Sequence, residues 1–129
     1  MKKVLLGLSL LAVFSLQASE VGDNMKAMRD GLTQIQDGFL YNKKATILDG
    51  ITKVEESNKK LHSKKFVSDF LPKDKKGFLN VALISAKSLT SNLAEMRAYV
   101  NHNQLTDASS TNAIIIRNCT RCHSVVRGW

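Results

Sequence analysis

From Asp23 to Phe39 the apolar residues Met25, Met28, Leu32, Ile35 and Phe39 step by 3, 4, 3 and 4. At about 3.6 residues per turn this keeps them on one side of a helix, so the stretch predicts a bundle-type helix with Asp23 or Asn24 as its cap. Tyr41-Asn42-Lys43 ends it. A second row, Ile47, Ile51, Val54, Asn58 and Leu61, predicts a helix from about Lys44 to His62. The polar Asn58 in that row is either a register-setting core residue or a sign that the face rotates outward. Ser63 to Lys73 is expected to be an irregular link, because Pro72 breaks a helix there. Phe66, Phe70 and Leu71 nevertheless give the link enough apolar weight to pack down. A third helix is predicted from about Asp74 to Asn101, with Phe78, Ala82, Leu89, Leu93, Met96 and Val100 on its buried side. The last helix starts near Asp107, a capping residue, and runs through Ala113, Ile116, Cys119 and His123 to about Val126. No strand alternation, internal repeat or low-complexity tract interrupts this pattern. The predicted fold class is all-α, an up-down-up-down antiparallel four-helix bundle.

The first stretch stands outside this pattern. Met1-Lys2-Lys3 is a basic opening, Val4 to Phe14 is apolar, and Ser15-Leu16-Gln17-Ala18-Ser19 is small or polar. That is the form of a secretory signal peptide, residues 1–18, and a span of about 20 apolar residues that would cross a bilayer is not reached. The domain is then 19–129, exported and expected to have no stable membrane insertion. Without the leader, the formal charge falls from +8 to +6. The lysines come in scattered pairs without interleaved aromatics, which argues against a nucleic-acid partner. They are either a solvated surface or a field that steers acidic redox partners.

The chain's only two cysteines lie in Cys119-Thr120-Arg121-Cys122-His123. On a helix, Cys119, Cys122 and His123 fall within about 100° of each other. C-x-x-C-H is the spacing of covalent haem c attachment, in which two thiols add to the porphyrin and the imidazole binds its iron. A redox dithiol would follow a strand in a βαβ pattern, which the sequence lacks. Structural zinc needs four ligands, with only His62 and His102 left as further donors. The reading adopted is one covalent haem c, in the C-terminal helix.

Antiparallel topology brings the start of the first helix, the end of the second and the start of the third to the haem end. Met25, Met28, His62 and Phe78 go there; Phe39, Met96 and His102 go to the other. Met25 and Met28 are each either a thioether ligand to iron or core filler. His62 is more readily a helix-terminal residue than a ligand. Arg121 and Arg127 are either propionate partners or exposed, with Arg127 one turn beyond His123.

With Cys119-Thr120-Arg121-Cys122-His123 in the last helix, Arg127 four residues after the histidine and Asn24-Met25-Lys26-Ala27-Met28 in the first, the chain resembles the class II c-type cytochromes: cytochrome c prime and its low-spin relatives. The resemblance covers roughly residues 20–128, and its specific part is the haem motif. It implies a four-helix bundle whose first helix supplies the residue facing the distal side of the iron. Members often carry an arginine four residues before that residue, and Val21 stands there if it is Met25. Two functions are implied. One is a periplasmic, non-enzymatic electron carrier with His123 and Met25 (or Met28) on the iron. The alternative is a five-coordinate protein that binds nitric oxide or carbon monoxide. A peroxidase-like enzyme would want a distal acid–base group, for which only His62 could apply. A homodimer would form through the outer faces of the helices.

Overall fold

In the computed structural model, the backbone is described for residues 4–128 and the side chains for residues 20–127. The expected leader 1–18 and Trp129 lie outside the residues whose side chains are described. The described chain is all-helical, with five α-helices and no strand: α1 (Val4–Leu40), α2 (Lys44–Leu61), α3 (Lys64–Phe70), α4 (Leu79–Asn101) and α5 (Leu105–His123). A 3-10 segment, Lys73–Phe78, leads into α4, and a single π-helical turn, Ser124–Gly128, follows α5.

The apolar stripes do what their spacing predicts. Ile35, Ile47, Ile51, Val54, Leu93, Met96 and Val100 are fully buried, and Met28 nearly so, while Met25, Leu32 and Phe39 pack half-buried against them. Each such side chain contributes about 1.5–3 kcal/mol. The ion pairs Lys26–Asp30 and Lys59–Glu56 are exposed and screened by water, so the stripes decide how the helices associate. Asn42 (φ 52°) and Asn103 (φ 59°) end α1 and α4 in the left-handed region. Asparagine tolerates that region. In both turns the next residue's N–H reaches back five positions, Lys43 to Gly38 O at 2.8 Å and Gln104 to Tyr99 O at 2.9 Å, which satisfies carbonyls the helix end would leave open.

α1 packs on α2, α2 on α4, and α4 on α5, whereas the fourth side, between α1 and α5, is not closely packed. The α1–α2 contact is tight because glycines bring the backbones together. A Cβ at Gly50 would lie 2.8 Å from Gly31 O and 2.9 Å from Ile35 N, and one at Gly38 would lie 2.8 Å from Ile47 N. α2 is tied to α4 by Arg97, whose guanidinium meets Glu55 at 2.6 Å and Thr52 at 3.0 Å.

Four expectations change. Asp23 and Asn24 do not cap the first helix; they lie inside α1, and Asn24 is buried. The link after α2 contains the helix α3, started by Ser63, whose Oγ accepts from Phe66 N at 3.2 Å, and held down by buried Val67 and Leu71. Phe78 is not on the buried side of the third long helix. It ends the 3-10 segment, is 39% exposed, and lies beneath the Lys75 ammonium. Finally, α5 starts at Leu105 and buries Ala108, Thr111 and Ile115, leaving Ile116 exposed.

The glycine contact yields a paired prediction. Gly50→Ala should lower stability by about 1–3 kcal/mol, because the added methyl meets backbone that cannot yield. Gly22→Ala, with nothing within 4 Å of the new Cβ, should raise it by about 0.5–1 kcal/mol. Urea unfolding of the two variants beside the parent chain measures both, and equal effects would remove the close-packing explanation.

Candidate functional site

One end of the helix assembly is dense and the other is hollow. The dense end holds Ile35, Ile47, Leu93, Met96 and Val100; the hollow end holds a cavity of about 850 Å³. That lies within the range of about 300–1,000 Å³ typical of small-molecule and cofactor sites. α1 lines it with Val21, Gly22, Met25, Met28, Arg29 and Leu32, all on one face of the helix. α2 adds Asn58 and Leu61, and α3 with its link adds Val67, Phe70 and Pro72. α4 contributes Ala82, Ser85, Ala86 and Leu89. The space exists because short side chains coincide: Ala82, Ser85 and Ala86 are one turn apart on α4, and at Gly22 a Cβ would meet nothing.

The remaining wall is α5 and the turn after it, with Asn118, Cys119, Cys122, His123, Val126 and Arg127. The helix runs unbroken through His123, so the two thiols and the imidazole share its cavity-facing side. Both cysteines are free and half-buried. Burial pushes the Cys119 thiol above its usual pKa, and the neighbouring Cys122 adds to this. Burial also raises Cys122, with the Ser85 hydroxyl acting against it. His123 moves the other way: burial first, then the Arg127 charge, holds its pKa below the ordinary imidazole value. The three groups are therefore neutral near pH 7, and neutral imidazole is the metal-binding form.

Of the residues weighed from sequence, Cys119, Cys122, His123, Met25, Met28 and Arg127 line this one cavity. His62, His102, Phe78 and the exposed Arg121 do not. His62 Nε2 lies 3.0 Å from Thr90 Oγ1, and His102 Nδ1 lies 2.8 Å from Ala98 O at the end of α4. Among the described residues no group of three or more His, Cys, Asp or Glu side chains could hold a bare metal ion, so a zinc site finds no ligand set. Arg29, Asp74, Lys75 and Ser85 are cavity residues that sequence reasoning did not nominate, and Asn58, on the inner row of α2, lines the cavity too. The small-residue run in α4 was the one available signal for the space itself.

These residues fit a covalently held haem. Two thiols and a neutral imidazole share one wall of a largely apolar space, and Arg127, Lys75, Asp74 and Arg29, the last paired with Asp30, line it as well. Comparison with protein-family models, with curated proteins and with solved structures finds no match to this chain.

The buried groups predict how the haem-free chain responds to pH. Because the folded state disfavours charged His123, the unfolded chain takes up that proton first as pH falls. Stability should therefore drop as pH falls through about 6.5, the unfolded imidazole value. The thiols are raised in the folded state, so the unfolded chain ionises first and stability should drop again as pH rises through about 8.5. Urea midpoints measured from about pH 5 to pH 10 report both limbs. His123→Gln should flatten the acid limb and the double Cys→Ser variant the alkaline one; limbs that persist in those variants would assign the effect elsewhere.

Proposed function

We propose that this chain is an exported, periplasmic monohaem c-type cytochrome of the class II kind, an up-down-up-down four-helix bundle that transfers electrons. The observation that carries the reading is that Cys119, Cys122 and His123 share a single cavity with Met25 and Met28. Haem, when bound, supplies a one-electron ferric–ferrous couple. The chain's residues would hold it and tune it. Cys119 and Cys122 would anchor the porphyrin through thioethers, and His123, kept neutral by its burial, would bind the iron. Met25 would supply the second ligand to the iron, with Met28 as the alternative on the same face. Met28 belongs to the core, while Met25 only packs against its edge, and so Met25 is the freer of the two sulfurs. A thioether ligand raises the reduction potential, which suits electron transfer. The apolar wall from Leu32, Leu61, Val67, Phe70 and Leu89 would keep water from the iron. Arg127, with Arg29 and Lys75, would pair with the propionates. The positive surface that remains would favour acidic redox partners.

The test is the optical spectrum of the haem-loaded protein, ferric and ferrous, before and after carbon monoxide. A low-spin spectrum with a weak far-red sulfur-to-iron band, unmoved by the gas, is expected. Met25→Ala should keep haem attached but turn the spectrum high-spin, and Met28→Ala should not. The double Cys→Ser variant should release its haem to acidified organic solvent. A parent chain that is high-spin and shifts at once with carbon monoxide would replace the electron carrier with a gas-binding protein.

A further inference from the structure

The positive charge of the chain is not spread evenly along it. Two short segments that help to wall the cavity, 64–78 and 118–127, carry five lysines, Arg121 and Arg127 against two acids, Asp69 and Asp74. That is +5 of the +6 left without residues 1–18, and the rest of 19–129 is close to balanced, with ten basic side chains and nine acidic. The two segments meet where the 3-10 segment touches the turn after α5, so their charges gather at one end of the molecule. Chain neighbours fix several of them beside the cavity. Lys73 stands between Pro72 and Asp74, Lys76 follows Lys75, and Arg121 precedes Cys122, and each of these neighbours is a wall residue. Lys64, Lys73, Lys76 and Arg121 are themselves exposed. Among the described residues, one ion pair lies within the group, Lys65–Asp69. Elsewhere Lys26, Arg29, Lys59, Lys60 and Arg97 are each met by a carboxylate. Lys76 also donates to Ser68 O, which ties the 3-10 segment to α3.

We propose that this basic end, with Lys64, Lys73, Lys76 and Arg121 as its exposed charges, is the docking surface for an acidic redox protein. The inference rests on the haem reading above and names the face on which that reading's partner settles. A haem held by Cys119 and Cys122 would lie beside both segments, so a partner bound here is the one placed to exchange its electron. Lys75 and Arg127 are on the wall itself and would go to the propionates, while their exposed neighbours keep their charge for a partner. Charge gathered on one face steers an oppositely charged protein toward that face. An anionic lipid surface suits it less. Phe66 and Phe70 of α3 are half-buried with their ring centroids 5.5 Å apart, and Val67 is buried, so α3 presents no apolar face to lie among lipids.

Reduced flavodoxin, an acidic protein, is the probe. It gives one electron to the ferric haem and becomes the semiquinone as the iron becomes ferrous. Stopped-flow mixing with the haem-loaded full chain gives the second-order rate at about 0.1 M ionic strength, where exposed charges act over about 10 Å. Lys64→Glu with Lys73→Glu should slow it about tenfold. Lys43→Glu with Lys44→Glu makes the same change in net charge at the other end of α2, about 27 Å from Leu61, and should alter the rate by less than about twofold. In about 0.5 M salt the parent and both variants should converge. Equal slowing by the two variants overturns the proposal, and so does a parent rate that ignores salt, which needs no variant to fold. Phosphatidylglycerol vesicles that sediment the parent chain but not Lys64→Glu with Lys73→Glu, when those changes leave the flavodoxin rate as it was, overturn it in favour of a membrane. A chain whose mass carries no haem overturns the proposed function and this inference together, whereas these results on a fully loaded chain overturn the inference alone.

Discussion

The close approach of α1 to α2 at Gly31, Gly38 and Gly50 is the contact around which the rest of the structure is arranged. Where other residues carry a side chain, these carry hydrogen, and the two backbones come within van der Waals distance. Ile35, Ile47, Ile51 and Val54 close around that contact with no exposed surface. α1 is thereby committed to α2, and α5 is held by α4. No comparable contact joins α1 to α5. The hollow end is left to side chains alone, and there the helices supply Gly22, Ala82 and Ala86. Dense packing at one end and short side chains at the other are two parts of one arrangement.

The chemistry of the cavity follows from its largely apolar lining. A medium of low polarity disfavours charge, so it moves acids and bases in opposite directions. Cys119 and Cys122 stay thiols and His123 stays a free base for the same reason. The arrangement keeps the His123 imidazole neutral at neutral pH.

α3 and the 3-10 segment have a positional role. They bury Val67 and Leu71, and they set Phe70, Pro72 and Lys75 on the cavity wall. α3 touches α1, α2 and α4, so it closes the hollow end where these long helices would otherwise leave it open. The chain thus reaches five helices where its long stripes alone describe four.

The sequence by itself determined the long helices, because a stripe of apolar residues at helical spacing is a local property that any apolar partner will bury. It determined the shared face of Cys119, Cys122 and His123 for the same reason: their spacing and the helix pitch suffice. It showed that the link after α2 had apolar weight, but seven residues of α3 are too few for a period to declare itself. The face of α5 was beyond it. Ala113 and Ile116 look as apolar as Ala108 and Ile115, and only the position of α4 decides which pair is buried. Phe78 was misplaced because a 3-10 turn advances each residue further around the axis than an α-helix does. The cavity, the burial of Asn58 and the nearness of Arg29 were decided by tertiary structure alone. A void is the coincidence of short side chains from several elements far apart in the chain, and no single stretch of sequence contains it.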